Sequence, residues 1–131
     1  MLEFKPEDET PFPHKEFTEA IIGSAFEVHN QLGYGFLHRV YQRALQVELS
    51  RRGFSAELEK RTTVRYKEAI VGEYDGDMIV NDAVLIEVKI APQYDKRDEA
   101  QLLNVLKATG LKIGILLHFG RYKVEYKRLI F

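Results

Sequence analysis

Residues 77–90 read Asp-Met-Ile-Val-Asn-Asp-Ala-Val-Leu-Ile-Glu-Val-Lys-Ile, strand-forming apolar sequence with Asp77, Glu87 and Lys89 embedded in it. Ile79, Val80, Val84, Leu85, Ile86, Val88 and Ile90 suit buried strands, and Asn81-Asp82 is a tight-turn signal between them. An interior strand does not accept an ionised side chain without a partner or a cation, because an unpaired charge in a dry setting is heavily penalised. Glu87 and Lys89 alternate onto one face of their strand, about 7 Å apart at Cα. Asp77 follows Gly76 at the approach of the preceding strand and can reach the same face. Two oxygen donors suit Mg²⁺ or Mn²⁺, and a neighbouring ammonium suits a phosphate or an attacking water. The pattern points to a metal-dependent phosphodiesterase.

The rest of the chain supplies a frame for those strands. Residues 1–14 hold three of the four prolines and little periodicity, which reads as a flexible N-terminal arm. Residues 15–131 read as a single domain. Phe17, Ala20, Ile21, Ser24, Ala25, Val28 and Leu32 form a helical stripe that Gly33-Tyr34-Gly35 breaks. Leu37, Val40, Tyr41, Ala44, Leu45 and Glu48 form a second, which should stop near Gly53. Residues 56–67 then read as a half-exposed strand, 69–74 continued by 78–80 as a second, and 83–90 as a third, deeply buried one. Residues 95–109 read as a helix stopped by Gly110, 111–119 as a central strand, and 122–130 as a final alternating strand. The order ααβββαββ gives an α/β (α+β) fold, a mixed sheet with helices on both faces. The last strand, if exposed, is an edge on which a second copy could pair to give a homodimer.

Composition narrows the chemistry further. With no cysteine, disulfides, thiolate metal sites and cysteine nucleophiles are excluded. No apolar run approaches the ~20 residues that span a bilayer, and the first residues lack a signal peptide's basic start and apolar stretch. The expectation is a cytoplasmic protein with no membrane partner. The formal net charge of −1 argues mildly against a protein that coats nucleic acid. Without residues 1–10 the chain has 18 basic and 16 acidic residues. Clusters such as Arg51-Arg52, Lys60-Arg61, Lys96-Arg97 and Lys127-Arg128 are either solvated faces or a phosphate-facing side. No glycine-rich loop with Lys-Ser/Thr is present, and the four histidines lack zinc-motif spacing. His29 and His118 read as packing or surface residues.

With this order of elements the chain resembles the PD-(D/E)XK nuclease superfamily and, within it, the GxxExxY proteins, over roughly residues 15–131. The resemblance implies a restriction-endonuclease-like core. It implies Asp77 and Glu87 as the metal-binding acids, the Val88 backbone carbonyl as a further metal oxygen, and Lys89 as the catalytic lysine. Gln101, on the following helix, corresponds to a glutamine that would bond Lys89 or a metal-bound water. Asp98 and Glu99 beside it read as charges facing the helix N-terminus. Residues 106–120 resemble the family's helix-to-strand segment. The named motif appears as Gly35-Phe-Leu-His38-Arg-Val-Tyr41, with His38 at the position of the glutamate, and Gly76 stands where the superfamily has proline. His38 is either a metal ligand, which would favour Mn²⁺, or a filler of a disabled site. Two functions follow. One is a small nuclease using Mg²⁺ or Mn²⁺ on nucleic acid, DNA ahead of RNA. The other is a catalytically impaired nuclease-fold module that binds nucleic acid or a protein partner. Hydrolysis of a small phosphorylated molecule is a distant third.

Overall fold

In a computed structural model that describes residues 15–131, the two most apolar segments pair side by side at the centre. These are β5 (Val84–Ile90) and β6 (Ile113–Phe119), parallel in register from Val84 opposite Ile113 to Ile90 opposite Phe119. Every residue of β6 is buried, as a strand covered on both faces must be. The crossover between them is α3 (Arg97–Thr109), which the left-handed Gly110 (φ 82°) terminates. Ahead of β5, β4 (Met78–Val80) returns antiparallel through the three residues 81–83, with Asn81 and Asp82 at positive φ and the Ala83 N–H bonded to the Val80 carbonyl at 3.0 Å. The sheet is completed by β1 (Ala56–Leu58) beside β4 and β7 (Val124–Ile130) beside β6, in the order β1-β4-β5-β6-β7.

Both faces are covered. Val84, Ile86, Val88, Ile115, Leu117 and Phe119 form one core with Ile21, Ala25 and Val28 of α1 (Lys15–Leu32) and Tyr41, Leu45 and Leu49 of α2 (His38–Arg51). On the other face Ile79, Leu85 and Leu116 pack against Leu102 and Leu106 of α3. Gly114 permits that approach, since a Cβ there would lie 3.1–3.2 Å from Leu106 and Leu102. This is the mixed α+β, restriction-endonuclease-like arrangement expected of the sequence. No described helix is long and apolar enough to cross a membrane. The arm read at residues 1–14, with His14, lies outside the described residues.

The expected three-strand meander is more broken than its sequence suggests. Residues 56–67 divide into β1 and β2 (Arg61–Tyr66), and the next strand divides into β3 (Ala69–Asp75) and β4. Strands β2 and β3 form a separate two-stranded ribbon, so the order is ααβββββαββ. Neither ribbon strand contains a buried residue, so nothing draws it onto the main sheet. The breaks face each other: Glu59 turns to positive φ, and its N–H bonds the Asp77 carbonyl at 3.0 Å. The ribbon and the β1–β4 pair are therefore one long hairpin, interrupted next to Asp77. Helix α3 and strands β6 and β7 each begin two residues later than the alternation implied. A turn in which the Asp95 and Lys96 carbonyls accept the Asp98 and Glu99 N–H groups, the Gly110 cap, and a turn closed by Gly120 N–H to Lys123 O consume those residues.

Candidate active site

Strand β4 pairs with β5 only as far as Met78 opposite Ile86. Beyond it β5 runs on, and the Val88 N–H and carbonyl face the gap left where the chain bends at Gly76-Asp77. The Asp77 carboxylate fills part of that gap, accepting the Val88 N–H at 2.7 Å through Oδ2. The bend is fastened from α2 as well, because the buried Gln42 donates to the Asp77 carbonyl at 2.8 Å. Gln42 went unnoticed in the sequence. Its signal there was a polar residue on the core-facing side of an amphipathic helix. Gly76 is tightly enclosed: a Cβ would stand 2.5 Å from Leu85 Cδ1 and 3.7 Å from Glu87 Oε2.

His38 begins α2 and points into the same gap. Its Nε2 lies 3.1 Å from Asp77 Oδ1 and 3.1 Å from the Val88 carbonyl oxygen. The carbonyl can only accept, so the bond to it requires Nε2 to carry the hydrogen. The turn before the helix sets this position. Buried Tyr41 donates to the Gly33 carbonyl at 2.6 Å, and Gly35 takes φ 121°, a conformation open to glycine. Tyr41 is thus a core anchor one turn after His38, not a group facing the cleft.

Glu87 and Lys89 project from β5 on the α3 side, as alternation required. The Tyr74 hydroxyl of β3 donates to Glu87 Oε2. Burial pushes the Glu87 carboxyl up to about 8; the Asp77 charge adds to this, while the Tyr74 bond and the Lys89 ammonium oppose it. Tyr74 is itself raised, by burial first and then by Glu87. It was missed because nothing local in an exposed strand marks a partner thirteen residues away. Lys89 Nζ lies 4.0 Å from Asp98 Oδ1 in the first turn of α3. Gln101 lines the same recess with Tyr74, Glu87, Lys89 and Asp98, but no hydrogen bond joins it to Lys89; Asp98 stands in that position. The helix start is held instead by Asp95, whose Oδ1 accepts the Arg97 N–H at 2.9 Å, and Glu99 accepts a bond from Tyr94.

His38, Asp77, Glu87, Val88 and Lys89 open together onto a cleft of about 490 Å³, with exposed Phe36 and Leu37 at its lip. Among the described residues no three His, Asp or Glu side chains form a ready ligand set. Asp77 Oδ1 and the Val88 carbonyl nevertheless converge on one nitrogen-bound hydrogen, the kind of position an oxygen-coordinated cation takes. Adding Glu87 makes an all-oxygen donor set suited to Mg²⁺ or Mn²⁺. Elsewhere some of the clustered bases are engaged in local pairs: Lys60 with Glu57 and Asp82, Arg61 with Glu73 and Asp75, Arg97 with Asp95. His29 bonds the Gly120 carbonyl at 2.8 Å. His118 is buried beside Tyr94, with Nδ1 3.8 Å from Glu125.

The sequence model of the PD-(D/E)XK nuclease superfamily matches residues 15–129. No curated protein is similar enough in sequence to count as a relative. Among solved structures, the crystal structure of SSO0001 superposes with a TM-score of 0.55 at 18% identity, covering 95% of this chain. The chain spans 58% of that protein's length. At that identity the likeness concerns the fold.

Proposed function

Because the chain belongs to the PD-(D/E)XK nuclease superfamily, we propose that it is a small cytoplasmic nuclease that hydrolyses phosphodiester bonds in DNA with Mg²⁺ or Mn²⁺. One observation carries the reading: two carboxyl groups, a backbone carbonyl and an ammonium meet at the open edge of β5, beside a cleft of about 490 Å³. Asp77, Glu87 and the Val88 carbonyl would hold the cation, with His38 as a nitrogen ligand better suited to Mn²⁺. Bound there, the cation would polarise a phosphoryl oxygen and lower the pKa of water. Glu87 would bind it only after releasing the proton that burial favours on its carboxyl. Lys89 stabilises charge gathering on the phosphate or orients the attacking water. Gln101 lines the recess on its α3 side. Membership of the GxxExxY group is supported by physical roles for two motif residues, Gly35 at the turn and Tyr41 as its anchor.

A second reading, a binding module that no longer cuts, draws support from His38. Its bonds to Asp77 and Val88 satisfy internally the oxygens a cation would need. Purified protein with Mn²⁺ is expected to nick DNA, and Lys89→Ala to lower the rate by at least about 10²-fold. Equal cleavage by the variant overturns the assignment of this site. Titration calorimetry with Mn²⁺ separates the two readings, run alongside a screen of duplex, branched and single-stranded DNA and of RNA. Nucleic-acid binding without metal uptake or cleavage selects the binding module.

A further inference from the structure

The lip of the cleft is more apolar than the fold requires. Tyr34, Phe36 and Leu37 stand around Gly35 in the turn between α1 and α2, and they are 37%, 49% and 76% exposed. None of them belongs to either hydrophobic core. Phe36 is nevertheless held in place. Its N–H bonds the Tyr41 hydroxyl at 3.4 Å, and its ring stands 6.4 Å from that of buried Tyr41, at 69° to it. Phe36 and Leu37 line the same cleft as Asp77, Glu87, Val88 and Lys89. A fixed, half-exposed aromatic ring beside a reaction centre is a face on which a flat group can stack. The helix that starts at this lip adds charge. His38 and Gln42 turn towards the bend at Asp77. Arg39 and Arg43 each follow one residue later, about 100° further round α2, and both are exposed. Ala44, Val47 and Glu48 occupy the opposite flank, beside α1. Glu48 is the one acid of α2 and pairs with Arg52 at 3.0 Å, so neither arginine has an acidic partner on its own helix. Two cations a helical turn apart, about 6 Å at Cβ, therefore lead away from the lip.

We infer that the lip and this flank bind a single strand of nucleic acid, with an unpaired base stacked on Phe36 and the phosphates beside the cleaved one held by Arg39 and Arg43. The inference rests on the nuclease reading of the cleft and adds the form of the substrate to it. Inside an intact duplex both faces of a base are covered by its neighbours, and an aromatic lip gains nothing. An unpaired base has a face free, and stacking it on a side chain tolerates any sequence. The size of the cleft points the same way. About 490 Å³ is the volume of a small-ligand pocket, room for a nucleotide rather than for the width of a double helix. A chain with a formal net charge of −1 has little general attraction for phosphate. Two arginines make few of the contacts by which proteins hold duplex DNA through its backbone. Stacking adds affinity that does not depend on charge.

Fluorescence anisotropy of the full chain in chelator tests the site apart from cleavage, using labelled oligothymidylate of about 20 nucleotides and a closed-ended DNA duplex of equal length. Wild type is expected to bind the single strand at least about 10-fold tighter than the duplex. Phe36→Ala should lose about 10-fold on the single strand and less than about 2-fold on the duplex, while Phe36→Trp stays within about 3-fold of wild type. Arg39→Gln combined with Arg43→Gln should flatten the slope of log affinity against log salt on the single strand by about 1.4, two contacts at roughly 0.7 each. Equal affinity for the two DNAs, or Phe36→Ala binding as tightly as wild type, overturns the stacking site. An unchanged salt slope overturns the arginine flank, and no single-strand binding at about 100 μM, where even non-specific binding is usually seen, overturns both. Single-strand binding with these dependences but no cleavage with Mn²⁺ upholds the strand site and fails the nuclease reading. Cleavage of the closed duplex as fast as of the single strand does the reverse.

Discussion

Raising the pH from 5 to 8 should destabilise the metal-free protein, and Glu87→Gln should remove most of that loss. The Glu87 carboxyl, ordinarily near 4.5, is held up to about 8 by burial and by Asp77. Between those values the folded protein keeps a proton that the unfolded chain has released. Stability rises with pH only where the unfolded state holds more protons, so here it falls, and it is greatest below the unfolded pKa. At about 1.4 kcal/mol per pH unit the loss between pH 5 and pH 8 is capped at roughly 4 kcal/mol. The value of about 8 already includes the opposing pull of Tyr74 and Lys89, so a fall of about 3 kcal/mol is expected, or roughly 10 °C in Tm for a chain of this size. Glutamine does not ionise, yet its carbonyl still accepts the Tyr74 hydroxyl. Urea unfolding of both proteins in chelator, at half-unit steps of pH, measures the difference, and titrations elsewhere in the chain are common to both. Parallel stability profiles for wild type and Glu87→Gln would refute the reasoning.

Two further substitutions address the same cleft. His38→Glu places a third carboxyl beside Asp77 Oδ1 and the Val88 carbonyl, each 3.1 Å from the present ring nitrogen. It should lower the metal-free stability at neutral pH, raise Mg²⁺ affinity about 10-fold by calorimetry, and raise Mg²⁺-dependent nicking; unchanged affinity and rate would mean residue 38 is not at the cation. Gly76→Ala drives a Cβ to 2.5 Å from Leu85 Cδ1 and should cost about 1–3 kcal/mol by overpacking. Denaturation within about 0.5 kcal/mol of wild type would show that Leu85 moves freely aside.

What could be read in the sequence was what repeats along it. The apolar runs of β5 and β6, the helical stripes of α1 and α2, and the left-handed Gly110 each carry their own local signal, and the central parallel pair follows from them. The spacing of Glu87 and Lys89 likewise fixed their common side. What could not be read depends on partners far along the chain. The division of residues 56–67 is set by where β4 begins, and the Tyr74–Glu87, Gln42–Asp77 and Lys89–Asp98 contacts each join different elements. Alternation says that Tyr74 points to one side of its strand. Only the bend at Gly76-Asp77 brings that side to Glu87. His38 was legible as a departure from a motif, but its two acceptors depend on the open edge of β5.

The β2–β3 ribbon shares no residue with either hydrophobic core. Its tip, with exposed Tyr66, Ile70 and Val71, is therefore free to vary in length and character at little cost to folding. Tyr74, near its base, is the tether that ties any such change to Glu87. A scaffold built this way lets selection rewrite what the protuberance meets while leaving the acids and lysine where they are.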